Sequence, residues 1–524
     1  MVWHIFKKDW KLLWTFVASV ALVHWISVVI MHQLGLFGEN PMLEMLEDTV
    51  PMLAYFGSMF LIVAIVHLDV LPGVRQDWLV RPISRRALLL EKFLFVIFMV
   101  ETPVLLANLF QGLSSGFSFR ASLLPALSKV IYLLCAFTLP LFVLASVTRN
   151  LTEAFIFWCG CAVIITTFQS FVGYLAELTH GTLTPVTWSG IGWVGELFRI
   201  ALVIVAASVI LGLQYFRRKT IQSRFLLVVF GLLLLTSQFL PWKPAFAIQR
   251  RLSPNPLAGA NTVVGFDPKA EKFRLPSGVS ATSESENGSR GARENENVVF
   301  LPLRIAGVPV DSVLLTDRVE VRLLRPDGVI AYHGTGESLE VKREAPIPDG
   351  APSYQTLKLP GAVYRAMKNQ PMRLELDYSL TLFGLTKSFS IAALGGDERM
   401  PGWGWCQTKI NDVGTAIELR CMQPGKGPTC GTVFLQNDVT GQRNPERSVC
   451  RPDYSPYSGR FGADDIARFG VNLPFRDAAG LAHFPIDGPK LSQSRVTIRS
   501  FEPETHFVRS LVIPEIKLQD WEGQ

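Results

Sequence analysis

The sequence predicts an α-helical membrane domain of about seven transmembrane helices followed by a mostly β extracytoplasmic domain. Three observations predict this fold class. Long runs of Leu, Val, Ile, Phe and Ala continue to about Leu240, whereas charged residues, Pro and Gly recur every few positions beyond Trp242. Basic residues favour alternate loops of the apolar half, and four cysteines lie in the polar half. We therefore divide the chain into a transmembrane domain (1–241), an extended, flexible linker (242–297) and an extracytoplasmic β-rich domain (298–524).

Seven segments of the N-terminal half are nearly free of charge and close to the roughly 17 to 20 residues that cross a hydrocarbon core. Lys7, Lys8 and Lys11 precede the first segment, as in a signal peptide. Its apolar run is long, however, and no small-residue cleavage site follows it, so we expect an uncleaved span. The last segment is the shortest. The segments are 12–31, 52–68, 93–110, 130–147, 154–175, 200–216 and 225–240.

Lys and Arg are unevenly distributed between successive loops. The N-terminus, the loop 75–92, the turn at Arg149 and the loop 217–224 are basic, while the alternate loops are mainly acidic, with Arg120 and Lys129 as exceptions. Because cytoplasmic loops are enriched in basic residues, we expect a cytoplasmic N-terminus. Seven crossings then place the C-terminal domain on the far side of a multi-pass plasma or inner membrane protein.

Four cysteines in one polar domain indicate two disulfides and an oxidising compartment. Cys406 and Cys421 flank the turn signal at 411–414 almost symmetrically. We expect a cross-strand bridge between them and a second bridge between Cys430 and Cys450, which is one of three possible connectivities. The alternative is four unpaired buried thiols.

Alternation of polar and apolar residues in the C-terminal half is typical of half-buried strands. It occurs at 298–305, 319–323 and 372–382, and the run 495–517 is predicted to form two further strands. Residues 360–368 are the one short helical candidate. Strands this closely spaced predict a β-sandwich.

Several functional classes are disfavoured by the sequence. The net charge of +6 is scattered rather than gathered into a stripe, so we expect no nucleic-acid partner. No zinc-type His-Glu-x-x-His, Gly-x-Ser-x-Gly or phosphate-binding Gly-x-x-x-x-Gly-Lys-Ser/Thr motif occurs. His24 and His67 have no metal-ligand spacing. We therefore expect no catalytic residue, no metal site and no directly bound cofactor.

The loop 69–92 contains the most informative motif. Arg-Pro-Ile-Ser-Arg-Arg at 81–86 is followed by an apolar turn and by Lys92 at the start of the next span. This resembles the loop after the second helix in permease subunits of type 2 ABC exporters, where a Leu-Leu-x-x-Pro-Ile-Ser-Arg element leads to a Lys. The segments 5–11 and 215–219 also look like that family, so the resemblance covers roughly the first 240 residues.

The resemblance implies a transporter subunit that cannot hydrolyse ATP itself. A separate ABC ATPase subunit would hydrolyse the ATP and push on residues 74–86, and family permeases act as homodimers or paired permeases. The sequence departs from the family at the acidic residue ahead of the Gly, which only Asp69 represents. The alternative role of Arg81, Arg85 and Arg86 is to keep this loop on the cytoplasmic side of the membrane and to contact lipid phosphates. The implied ATPase-coupling residues are Asp77, Arg81, Pro82, Ser84, Arg85, Arg86 and Lys92.

Glu101 lies inside the third predicted span, where a carboxylate is costly unless it faces a polar interior. It is a candidate either for the translocation path or for a buried structural bond. The leading functional hypothesis is the membrane-spanning subunit of an ATP-driven exporter that moves an unidentified substrate out of the cytoplasm. The alternative is a membrane-anchored sensor or adhesion protein whose β domain binds an extracytoplasmic ligand.

Overall fold

The chain folds into an N-terminal helical region and a C-terminal, mostly β region. The computed structural model describes residues 2–37, 41–69, 84–183, 191–237, 242–273, 296–343, 352–411, 413–423, 429–451, 468–476 and 484–522.

The helices of the N-terminal region are rich in apolar residues, and two of them continue through an internal proline, Pro51 or Pro125. Single π-helical segments join α3 to α4 at Ile97–Glu101 and α5 to α6 at Leu134–Thr138. The described helices are α1 (Val2–Phe37), α2 (Pro41–His67), α3 (Arg85–Val96), α4 (Thr102–Ser114), α5 (Phe119–Leu133), α6 (Leu139–Val147), α7 (Leu151–Leu178), α8 (Gly192–Leu211), α9 (Thr220–Thr236) and α10 (Trp242–Arg251).

Six helical stretches in the described residues are long and apolar enough to cross a membrane. The first six predicted spans each correspond to one of them: α1, α2, α3 with α4, α5 with α6, α7, and α8 with the π-helical segment after it. The seventh predicted span corresponds to α9, a shorter helix of 17 residues.

The helical region has one main core and one mostly exposed helix. Side chains of α2, α3, α6 and α8 pack together in the core, with Ile62, Phe95, Ala145 and Ile210 at most 1% exposed. In α7, by contrast, most apolar side chains point outward, and only Ala154 and Val172 are buried. Such a surface is suited to a lipid environment rather than to water.

The C-terminal region consists of antiparallel strands in three sheets, with one short helix, α11 (Gly361–Met367). The sheet orders are β1-β2-β6, β13-β10-β9-β8 and β12-β11-β14-β7-β3-β4, with β5 paired to β3. The strands are β1 (Val263–Phe266), β2 (Glu296–Ala306), β3 (Ser312–Leu324), β4 (Ile330–Gly336), β5 (Glu340–Arg343), β6 (Pro352–Pro360), β7 (Met372–Ala392), β8 (Asp397–Met400), β9 (Gly404–Ile410), β10 (Ala416–Met422), β11 (Thr429–Asn437), β12 (Arg447–Arg451), β13 (Arg468–Pro474) and β14 (Ser494–Ile516).

The long strands β7 and β14 organise this region. They pair along most of their length, and the two smaller sheets pack against different parts of the sheet that contains them. Leu301 and Leu357 of the small sheet meet Leu376 of β7 in one core, while Ile417 of the other small sheet meets Val496 of β14 in a second core. The alternating burial along β3 and β7 matches the period of two read from the sequence.

Three details differ from the sequence prediction or refine it. The predicted extended linker contains α10 and β1, because Trp242 to Arg251 has an amphipathic pattern that we missed. The run 495–517, expected to form two strands, is the single strand β14. Register shifts interrupt its pairing with β7, as at a β-bulge. The predicted short helix at 360–368 is confirmed as α11.

Candidate functional site

Five charged residues form a cluster at one end of the helical region, which we call the charge cluster: Lys8, Asp9, Asp69, Glu91 and Lys92. Lys92 Nζ lies 2.6 Å from Asp9 Oδ2 and 2.7 Å from Asp69 Oδ2. Lys8 Nζ lies 3.2 Å from Asp9 Oδ1 and 3.3 Å from Asp69 Oδ1. Because Asp9 is on α1, Asp69 follows α2 and Lys92 is on α3, one ammonium group connects three helices.

The local sequence positions Lys92 at this junction. Ser84 is the N-cap of α3, and its hydroxyl accepts a hydrogen bond from the Ala87 amide, which starts the helix at Arg85. Lys92 follows two turns later on the buried face. Arg85 donates a hydrogen bond of 2.8 Å to the carbonyl of Phe216, so the same helix start is also tied to the end of the helical stretch that contains α8.

The charge cluster is largely shielded from water. The side chains of Asp9, Glu91 and Lys92 are at most 1% exposed, and that of Asp69 is 10% exposed. Burial opposes ionisation of Asp69, but the ammonium groups of Lys92 and Lys8 outweigh it and hold its pKa below the ordinary value. Among the described residues the cluster contains two ammonium groups and three carboxylates, so its ion pairs are mutually dependent.

The charge cluster joins residues that lie on either side of the segment 70–83 in the sequence. Asp69 is the last described residue before that segment, and α3 is the first helix after it. The ion pair between Asp69 and Lys92 therefore connects the residue that closely follows α2 to α3. Through Asp9, the same ammonium group also connects α3 to α1.

The predicted coupling residues are only partly described. Ser84 is the N-cap of α3, Arg85 and Arg86 are its first two residues, and Lys92 lies two turns into it. Ser84 and Arg86 are exposed, whereas Lys92 is buried. Asp77, Arg81 and Pro82 lie outside the described residues, so their assignment stays a prediction.

Sequence reasoning did not single out Asp9 or Glu91. Asp9 was quoted only as part of a basic amphipathic segment, although an acidic residue between Lys8 and Lys11 was a usable signal. Glu91 adjoins Lys92 and was given no role of its own, yet its side chain is fully buried. The contact between Asp9 and Lys92 connects positions more than eighty residues apart, which a local motif does not reveal.

Glu101 is buried in the helical region, at 4% exposure. The hydroxyl of Thr138 donates a hydrogen bond of 2.6 Å to its Oε1 atom. The two residues end the π-helical segments Ile97–Glu101 and Leu134–Thr138, which therefore face one another. The buried structural bond is present, while a role of Glu101 in translocation stays a prediction.

The predicted disulfide connectivity is confirmed. Cys406 and Cys421 are directly opposed on β9 and β10 and form a disulfide, as do Cys430 and Cys450 on β11 and β12. Each disulfide joins directly opposed residues, so each cross-links one pair of neighbouring antiparallel strands.

The β region contacts two helix ends through hydrogen bonds to backbone carbonyls. Arg318 of β3 donates to the carbonyls of Gly181 and Thr182, at 3.3 and 2.7 Å, just past the C-terminus of α7. The Thr335 amide donates to the carbonyl of His180. A guanidinium at a helix C-terminus satisfies unpaired carbonyls and complements the helix dipole.

The turn between α4 and α5 is held by a different sheet. Gln407 of β9 donates a hydrogen bond of 2.5 Å to the carbonyl of Gly116, and Trp405 Nε1 lies 3.4 Å from the Ser118 hydroxyl. Met422 of β10 packs against Phe117. The two larger sheets therefore hold different helices: β3 and β4 hold the end of α7, while β9 and β10 hold the α4–α5 turn.

Helix α10 packs between the helical region and β14. Trp193 donates to Gln249 of α10, and Gln249 lies 3.3 Å from the ring nitrogens of His506. Thr381 Oγ1 lies 2.7 Å from His506 Nδ1. Burial lowers the pKa of His506 to about 4, so the neutral ring is the form that fits this contact.

Comparisons with known proteins identify no family. No family model and no curated protein matches the chain. Among the solved structures that match is a crystal structure of red sea bream transglutaminase, at 9% identity and a TM-score of 0.11. The alignment covers 45% of this chain and 31% of that one. At that TM-score the match carries no argument about fold or function.

Proposed function

We propose that the chain is the membrane-spanning subunit of an ATP-driven exporter of the ABC class, driven by a separate ATPase subunit and acting as a homodimer or paired permease. It moves an as yet unidentified substrate out of the cytoplasm. The observation that carries this proposal is the charge cluster, which joins Asp69 before the segment 70–83 to Lys92 after it. The sequence resemblance assigns the coupling contact to this same part of the chain.

The proposed topology has a cytoplasmic N-terminus and seven crossings, with α9 as the last. Six long apolar helices with exposed apolar side chains support membrane insertion. Two disulfides in the β region support an extracytoplasmic location for it, since disulfides persist in oxidising compartments. A cytoplasmic N-terminus and an extracytoplasmic β region require an odd number of crossings. With α9 as the seventh crossing, the number is odd.

A loop that receives a mechanical push must have both ends anchored, because otherwise it moves without moving the helices. The ion pair between Asp69 and Lys92, at 2.7 Å, provides such an anchor. Removing one partner of a buried ion pair costs about 3–5 kcal/mol, which is large relative to thermal energy. The anchor therefore resists opening under load and passes the displacement to α1 through Asp9.

The helix-end contacts offer a route from the helices to the β region. A displacement of α7 relative to the α4–α5 turn would shift β3 and β4 relative to β9 and β10, since hydrogen bonds tie each pair of strands to one of these helix ends. In the proposed function the β region thus follows the transport cycle and receives or hands on the substrate.

Co-purification tests the proposal. The chain is purified from its native membranes after mild cross-linking, and mass spectrometry is used to search for an ATP-binding-cassette subunit. We expect an ATPase subunit with the wild-type chain, reduced recovery when Arg81, Arg85 and Arg86 are changed to Glu, and normal recovery with a control Lys11→Met. Lys92→Met should retain the ATPase but uncouple its hydrolysis from transport.

Two outcomes contradict the proposal. If no ATPase subunit is recovered under conditions that capture a known exporter's ATPase, the alternative of a membrane-anchored sensor or adhesion protein takes its place. If an ATPase is recovered equally well with the triple Glu variant, the coupling contact lies elsewhere on the cytoplasmic face.

A further inference from the structure

A cleft of about 300 Å³ separates α10 from the face of the seven-stranded sheet. Its apolar floor is formed by Trp242 and Phe246 of α10 and by Val508 of β14. Trp242 is held in place by a hydrogen bond of 3.2 Å from its Nε1 to the Ser379 hydroxyl. The cleft is therefore a preformed concave site with a fixed aromatic floor.

The two walls of the cleft carry opposite charges. Lys243 and Arg250 line the helix wall and lie seven residues apart, which places them on one face of α10. Glu320 and Asp377 line the sheet wall and are direct cross-strand neighbours on β3 and β7. A ligand that fits both walls has an anionic group and a cationic group a few ångströms apart.

The two carboxylates differ in how far they are already paired. Asp377 accepts hydrogen bonds from Arg322, at 2.7 Å, and from Ser510, at 2.6 Å. Glu320 lies 3.8 Å from Lys243 Nζ and 3.9 Å from Arg318 Nε, both longer than a hydrogen bond. The side chain of Lys243 is 81% exposed and can move away. Glu320 is thus the carboxylate that can accept a new donor.

The position of α10 indicates that such a ligand comes from the membrane. The helix begins at Trp242, shortly after α9 ends at Thr236, and it exposes Ile248 beside its basic residues; Leu252, the residue after its end, is also exposed. An amphipathic helix that carries Trp, Lys and Arg directly after an apolar helix lies at the headgroup layer. This step rests on the membrane topology proposed above, but not on the ATPase partner.

We propose that this cleft binds a phospholipid headgroup of the phosphoethanolamine type from the outer leaflet. The phosphate lies between Lys243 and Arg250, and the primary ammonium donates to Glu320. A phosphoglycerol headgroup has no cation for the sheet wall and brings a second anion close to two carboxylates. A choline headgroup has a cation but no N–H donor for Glu320.

Lipid retention tests the proposal. The full chain is reconstituted into nanodiscs containing equal amounts of phosphatidylethanolamine, phosphatidylglycerol and phosphatidylcholine, and native mass spectrometry counts the lipids retained on release. We expect phosphatidylethanolamine to be retained about tenfold over the other two, since one charge-assisted hydrogen bond changes affinity by about that factor. Glu320→Gln should remove this preference, whereas Glu337→Gln, outside the cleft, should keep it.

A second variant and a soluble competitor separate the remaining outcomes. Lys243→Gln combined with Arg250→Gln should weaken retention of all three lipids. Equal retention by the wild-type chain, or a preference unchanged in Glu320→Gln, overturns the proposal and leaves the exporter proposal untouched. If soluble glycerophosphoethanolamine binds as tightly as the lipid, the membrane source is wrong. Failure of the chain to insert into nanodiscs overturns the proposed topology as well.

Discussion

Replacing Lys92 by Met removes the ammonium group that joins α1, α2 and α3 while keeping most of the side-chain volume. Asp9 and Asp69 then lose contacts of 2.6 and 2.7 Å but stay buried. Breaking a buried ion pair by removing one partner costs about 3–5 kcal/mol. Lys8 remains within 3.3 Å of both carboxylates but is 46% exposed, so it offsets only part of the loss. We expect the free energy of unfolding to fall by about 3 kcal/mol.

Equilibrium unfolding of the full chain in bicelles measures this change. Lys11→Met is the matched control, because it makes the same Lys-to-Met change at an exposed position of α1, the helix that carries Asp9, and should change the free energy of unfolding by less than about 0.5 kcal/mol. Adding Asp9→Asn to Lys92→Met should recover about 1 kcal/mol or more, since it removes one unpaired carboxylate.

Two results would refute this reasoning. A cost below about 1 kcal/mol for Lys92→Met would mean that the carboxylates are solvated or protonated without Lys92. Strict additivity of Asp9→Asn and Lys92→Met would mean that the two side chains do not interact, whatever their distance.

Three further predictions concern other buried contacts. Burial lowers the pKa of His506 from 6.5 to about 4, so the ring binds a proton at a higher pH in the unfolded chain than in the folded one. The free energy of unfolding should therefore decrease by up to about 3 kcal/mol as the pH falls from 6.5 to 4. Chemical denaturation across that range measures it, and His506→Gln should flatten the profile. Thr138→Val should lower the free energy of unfolding by about 1–3 kcal/mol, because Glu101 is left without its hydrogen-bond donor. Thr138→Ser should lower it less, and thermal unfolding measures both changes. Arg318→Met should raise hydrogen exchange of amides 179–183, because the Thr182 carbonyl loses its partner; unchanged exchange would exclude this capping role.

The local patterns of the sequence predicted the apolar helices and the mostly β character of the second half, although they missed α10 and divided β14 into two strands. A run such as 154–175 is apolar over its whole length, and helix formation requires only contacts within the run. The same holds for the hairpin-like pair that brings Cys406 opposite Cys421, since the turn between them sets the register. The amphipathic helix α10 was missed because the charged residues, Pro and Gly that recur beyond Trp242 were interpreted as signs of an extended linker.

The charge cluster shows why the site could only be predicted in part. Lys92 was identified through a motif next to it in sequence, and Asp69 was noted as the only acidic residue at its position. Asp9 joins them through a contact that spans 83 residues, and no local pattern encodes that proximity. The attachment of the two larger sheets to different helix ends is likewise a property of the packed chain.

The sequence by itself determined which segments are apolar enough to form long helices, which segments alternate as strands, and that four cysteines lie in the polar half. Those properties depend on composition and on neighbours a few residues away. Only the tertiary structure decided that Lys92 joins three helices, that Glu101 is bonded to Thr138, and that a cleft with oppositely charged walls lies beside α10. Each of these depends on side chains brought together by packing, where burial makes the pairing of a charge or a polar group a condition for the fold.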